Sequence, residues 1–244
     1  MKRSVSLLIC LTILLPLSGI ALLAADERVE NLESIIIESF DDPDSQQWYV
    51  RGSKFVAEDM PVIVYADAWP EALFGRNREE RDLKVLGVNA AFDRKGYNFL
   101  EFIPVKENSE GDLEPDPINL PGRVQQFDVW VWGSNYNYYL EVHVRDFTGR
   151  VHVLKLGDLH FVGWHDLRIF LPSYIPQAGG HITSGGFIKT LDLVKLVLWT
   201  KPGESVSGFN IYLDQIKILT DTFVTRFDGD DLADPIRVGE IWDN

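Results

Sequence analysis

Cysteine is almost missing from this chain. The only one, Cys10, lies inside an apolar run at the N-terminus. A lipoprotein cleavage site would place its cysteine at the end of such a run, behind a small residue. Here Ile9 precedes it and more apolar chain follows, so lipidation is not expected. No disulfide can form within one copy, and stability has to come from a packed core. Cysteine-based zinc sites are excluded as well. The catalytic signatures are missing too: there is no G-x-S-x-G, H-E-x-x-H, G-x-G-x-x-G or P-loop. Basic residues are in deficit, 23 against 37 acids, for a formal net charge of −14. Such a surface repels the phosphates of nucleic acids and does not adsorb passively to anionic membranes. It favours solubility and docking on basic protein surfaces.

Aromatic and aliphatic side chains are plentiful. Hydrophobic residues make up 45% of the 244 and aromatic residues 12%, enough to fill a sizeable core. The long apolar stretch is confined to the start. Lys2 and Arg3 precede Val5–Leu15, and Pro16 and Gly19 break the run before Ala21, Ala24 and Ala25. This is the pattern of a secretory signal peptide over residues 1–25. Cleavage is expected after Ala21, Ala24 or Ala25, with no stable membrane insertion afterwards. Export without disulfides suits a bacterial periplasm as well as the cell surface.

Alternating apolar and polar residues recur at short spacing beyond residue 26, with no helical period. Strands are expected around Ile35–Phe40, Val62–Tyr65, Val85–Phe92, Tyr97–Val105, Val124–Trp132, Tyr136–Arg145, Arg150–Leu156, Trp164–Phe170, Val194–Trp199 and Phe209–Leu219. Asp93-Arg94-Lys95-Gly96 reads as a turn between two of them. The stretch from Leu140 through Asp146–Gly149 to Phe170 reads as a β-meander. Glu107–Pro121 and Ser173–Gly186 read as exposed loops. The expected fold is all-β: an antiparallel β-sandwich of jelly-roll type over residues 26–220, followed by a polar tail, 221–244, with Phe223, Phe227 and Trp242 as isolated apolar anchors.

Few residues stand out as chemistry. Glu141, His143 and Arg145 share one strand face and read as its wet side, opposite Leu140, Val142 and Val144. In Val124–Trp132, the residues Phe127, Val129 and Val131 point one way, and Trp130 and Trp132 point the other. With Tyr136 and Tyr138 they make a candidate partner-binding surface, for a protein or for sugar rings. Glu38, Asp41 and Asp214 are candidate ligands for a structural calcium, by analogy with jelly-roll modules that hold one between first and last strands. Trp164 is expected in the core.

The residues Tyr138–Asp146, Gly163-Trp164-His165-Asp166-Leu167 with Pro172, and Asn210–Ile218 resemble the spirochaete flagellar filament outer-layer (sheath) proteins, the FlaA family. The resemblance runs from about Ile35 to Leu219 and makes this a shorter member. It implies a non-enzymatic structural subunit of the periplasmic flagellum. Its partners would be flagellin core subunits and other sheath proteins, and its effects would fall on filament stiffness, curvature and motility. No functional residue carries over by a defined motif. Two alternatives remain from the residues themselves: a periplasmic carbohydrate-binding module, from the tryptophan pair, and a polysaccharide hydrolase, from the abundance of carboxylates alone.

Overall fold

A computed structural model describes residues 30–77, 82–177 and 190–222, together with Gly239, Ile241 and Trp242. The signal-peptide segment and the tail residues Phe223 and Phe227 lie outside the described residues. Trp242 is exposed.

The described residues include thirteen strands and a four-residue helix. The first half runs β1 (Leu32–Glu38), β2 (Gln47–Gly52), β3 (Val62–Asp67), α1 (Glu71–Phe74), β4 (Lys84–Ala90), β5 (Phe99–Glu107), β6 (Leu113–Pro115) and β7 (Ile118–Leu120). The second half runs β8 (Arg123–Ser134), β9 (Tyr139–Arg145), β10 (Val151–Asp158), β11 (Val162–Phe170), β12 (Leu191–Trp199) and β13 (Phe209–Asp221). They pair into two antiparallel sheets. One has the order β11-β8-β13-β4-β3, with β1 also on β13. The other has the order β10-β9-β12-β5-β2, extended by β6 on β5 and β7 on β12. This is the expected β-sandwich.

Period-two patterning decides which side of each strand is buried. β9 alternates without exception, with Leu140, Val142 and Val144 fully buried. β8 buries Phe127, Val129 and Val131 completely. Facing them are Leu193, Leu196 and Leu198 of β12 and Leu100 and Phe102 of β5, in one continuous core between the sheets. β13 is the axis of its sheet. It pairs with β8 along one edge, while β4 and then β1 share the other. The handover falls at a bulge where Gln215 takes a left-handed conformation (φ 47°).

Several local expectations change. β4 and β5 do not form a hairpin around Asp93–Gly96, because they belong to opposite sheets. β9 and β10 do pair as read, closing at the Asp146 turn, but β11 crosses to the other sheet and pairs with β8, so the meander stops after two strands. Asp146 organises that turn. It is buried and accepts hydrogen bonds from the Thr148 and Arg150 amides, the Thr148 hydroxyl and His152 Nε2. Burial alone would raise its pKa, but these bonds outweigh it and hold the carboxyl well below the usual range. The acidic stretch after Glu107 is not a bare loop: it contains β6, which is exposed, and β7, which ends on the fully buried Leu120. Trp164 is not a core residue. It lies opposite Trp132, and Leu167 and Ile169, an odd number of positions away, are the β11 residues that pack on the core.

Candidate functional site: the outer face of the six-stranded sheet

Cross-strand register arranges the outer face of this sheet in rows. The first row runs Trp164 (β11), Trp132 (β8), Tyr212 (β13), Gly87 (β4) and Val64 (β3). Each aromatic is placed by the same alternation that sends Val131, Ile211 and Leu213 inward. Trp132 and Tyr212 meet edge to face, with ring centroids 5.5 Å apart and planes at 81°. Gly87 makes room for the tyrosine. A Cβ at this position would lie 2.8 Å from the Tyr212 ring and 2.9 Å from Val64 Cγ2. Trp69, beside α1, closes one side of the row. It is buried and donates its indole N–H to the Gly75 carbonyl (2.8 Å). Ala68, Trp69, Glu71, Trp132, Trp164 and Tyr212 line a cleft of about 310 Å³.

The second row is Asp166 (β11), Trp130 (β8) and Asp214 (β13). Arg168 donates to Asp166 Oδ2. Asp166 Oδ1 and the Trp130 indole nitrogen are both buried with no hydrogen-bond partner. Burial pushes the Asp214 carboxyl up to about 8, and the charge on Asp41 adds to the effect. The third row is Arg168, Asp128 and Lys217. Burial holds the Asp128 carboxyl above its usual range despite the Lys217 ammonium 3.4 Å away.

The four sequence-derived partner residues therefore separate. Trp130 and Trp132 are half-buried on the outer face, as the alternation requires. Tyr136 and Tyr138 are not part of that face. The chain leaves β8 at Asn135 in a left-handed conformation (φ 66°), which breaks the alternation. Tyr138 is fully buried. Its ring packs 4.9 Å from that of Phe209, and its hydroxyl donates to the Ser205 carbonyl at 2.5 Å. Burial raises its pKa well above the ordinary tyrosine value. Tyr136 is half-buried and donates to the Ser207 carbonyl at 2.7 Å. Both tyrosines clamp the loop that leads into β13. The reading of Tyr138 as exposed is corrected.

Glu38, Asp41 and Asp214 do not assemble a calcium cage. Glu38 is buried, one oxygen accepting from the Phe40 amide (2.7 Å) and the other from the Trp48 indole (3.0 Å). Asp41 accepts from the Lys84 amide (2.9 Å) and Asp214 from the Gln215 amide (2.7 Å). Among the described residues, no group of three or more His, Cys, Asp or Glu is placed to hold a metal ion.

On the opposite sheet, the polar side of β9 is internally paired. Glu141 accepts from the Trp199 indole (2.9 Å) and lies 3.5 Å from His143 Nε2, while Arg145 donates to Asp192 (2.8 Å). Burial lowers the His143 pKa. Lys195 and Arg51 both pair with Glu101, each at 2.5 Å.

The model of the flagellar filament outer layer protein FlaA matches residues 70–228. This chain belongs to that family. The match takes in β8, β11 and β13, the three strands that carry the aromatic row. A protein of Brachyspira hyodysenteriae described as flagellar filament outer layer-like is 25% identical over 159 residues, 64% of this chain. The alignment covers 66% of that relative, just under two-thirds of its length. Solved carbohydrate-binding modules show a distant likeness. The family 11 module of Clostridium thermocellum, solved with a mixed-linked tetrasaccharide, has a TM-score of 0.40 at 8% identity, covering 77% of this chain and 96% of its own. TmCBM61, solved with β-1,4-galactotriose, has a TM-score of 0.40 at 14% identity, covering 77% and 99%. Scores of this size transfer neither ligand nor site.

The cleft residues Trp69, Trp164 and Tyr212 were missed by sequence reasoning as site residues. Two of the three had a usable signal. Ile211 and Leu213 facing inward put Tyr212 outward, and Leu167 and Ile169 do the same for Trp164. Nothing in the sequence around Trp69 places it over the sheet.

Proposed function

We propose that this protein is an exported structural subunit of the outer layer of a periplasmic flagellar filament. It binds laterally to flagellin core subunits and to other sheath proteins, and it acts without catalysing a reaction. The single observation that carries this reading is the family match over residues 70–228. The aromatic row on the six-stranded sheet supports it with a rigid docking face. Half-buried tryptophans held by a β-ladder are preorganised anchors of the kind that dominate interfaces. The acidic surface, at −14, gives such docking an orientation by charge complementarity and a dependence on salt.

Lateral attachment of a stiff sandwich to one side of a filament would bias its curvature, and motility would follow from that. The test is to strip the outer membrane from cells, isolate their flagella and look for this protein on them. It should remain attached, and flagella from cells lacking it should change shape. A protein left wholly in the soluble periplasmic fraction, with filament shape unaltered in its absence, would contradict the reading.

A further inference from the structure

The cleft over the aromatic row has a chemistry of its own. Three of its walls are aromatic rings in fixed positions: Trp132 and Trp164 side by side across the ladder, and Tyr212 edge-on to Trp132. Trp69 forms a fourth wall from the α1 side. The polar groups at hand are the Tyr212 hydroxyl and the Glu71 carboxylate. One row along the strands, the Trp130 indole N–H and Asp166 Oδ1 are buried and do not line the cleft.

We infer that this cleft binds a neutral saccharide ring, a pyranose stacked on Trp132 and Trp164 with its hydroxyls toward Glu71 and Tyr212. A pyranose has an apolar C–H face and a rim of hydroxyls, which is what a set of indole faces beside fixed polar groups recognises. Charge excludes an anionic ligand. The described residues that line the cleft include Glu71 and no Lys or Arg, and Arg76 is already engaged with Glu71 (2.9 Å). The surface as a whole is strongly acidic. Size suits a single ring: about 310 Å³ lies at the small end of small-molecule pockets.

The inference names a ligand for the face that the filament reading uses for docking, and it rests on that reading only for where the glycan would be met. The experiment is tryptophan fluorescence titration of the purified protein with cellotriose, chitotriose and mannotriose, up to about 10 mM because single-ring stacking gives weak, millimolar affinity. At least one sugar should give a saturable change. Trp132→Ala and Trp164→Ala should each weaken it at least tenfold, and Trp132→Phe should retain more affinity than Trp132→Ala. Circular dichroism of each variant confirms folding. Three silent sugars, or binding that survives both alanine variants, would overturn the inference. So would a cleft that takes only the apolar dye ANS, which would point to an apolar protein segment instead. A protein that binds sugar but never sediments with flagella would overturn the filament reading and leave this one standing.

Discussion

Trp132 and Trp164 face each other directly across the β8–β11 ladder, on the outer side of the six-stranded sheet. Their strands are otherwise anchored inward by Phe127, Val129 and Val131 and by Leu167 and Ile169. The two indoles are therefore held by a core they do not belong to. A surface built this way can be altered without collapsing the domain, which makes its function separable from its stability.

That separation is measurable. Trp164→Ala should cost about 1 kcal/mol, the ordinary scale for a partly exposed position. Phe127→Ala, at a fully buried position, should cost about 3–5 kcal/mol. Urea denaturation of the two variants would compare them. Equal losses would mean that Trp164 is part of the core after all.

Gly87 is a more sensitive point. Its backbone is not left-handed, so an alanine meets no conformational strain, only the Tyr212 ring at 2.8 Å and Val64 at 2.9 Å. Gly87→Ala should cost about 1–3 kcal/mol by overpacking and should push Tyr212 off the Trp132 edge. Near-ultraviolet circular dichroism would register the change in the aromatic row. An unchanged spectrum and melting temperature would show that the row tolerates displacement of its tyrosine.

Asp214 makes stability depend on pH. Its carboxyl is raised to about 8 in the folded protein, against about 3.9 in an unfolded chain. Between those values the folded state keeps a proton that the unfolded state has lost. Stability should therefore fall as pH rises from about 4 to about 8, by up to ~1.4 kcal/mol per pH unit from this group, and level off above that range. Asp214→Asn should flatten the profile. Chemical denaturation at pH 5, 6.5 and 8 measures it, and a wild-type profile as flat as the variant's would contradict the raised carboxyl.

Tyr138 should behave as a clamp. Tyr138→Phe keeps the packing against Phe209 and removes the bond to the Ser205 carbonyl. It should cost about 1 kcal/mol and speed amide exchange in the loop ahead of β13, with no effect on docking. Weakened filament binding in this variant would return Tyr138 to the interface.

Much of the fold was legible in the sequence because its signal is local. Alternation marked β8, β9, β10 and β13, and the inward set Phe127, Val129 and Val131 was read correctly. What the sequence did not contain was partnership. A turn such as Asp93–Gly96 looks the same whether it closes a hairpin or carries the chain between sheets, so β4 and β5, and then β10 and β11, were joined wrongly. The site shows the same limit. Trp130 and Trp132 were legible from one strand, but the cleft needs four separate segments, and Trp69 arrives over the sheet from a connection with no period at all. Trp164 was misread for a simpler reason, since its own alternation with Leu167 and Ile169 pointed outward. Tyr136 and Tyr138 were misplaced because the strand pattern does not show that the left-handed turn at Asn135 carries them away from the outer face.

The central claim is that the aromatic face docks on the filament. The most direct measurement is binding of purified protein to flagella stripped of their outer membrane, comparing wild type with the Trp132→Ala, Trp164→Ala double variant. Loss of two anchors at ~2 kcal/mol each should weaken retention far more than tenfold while circular dichroism stays native. Added salt should weaken wild-type binding as well. Equal retention of a folded double variant would contradict the account.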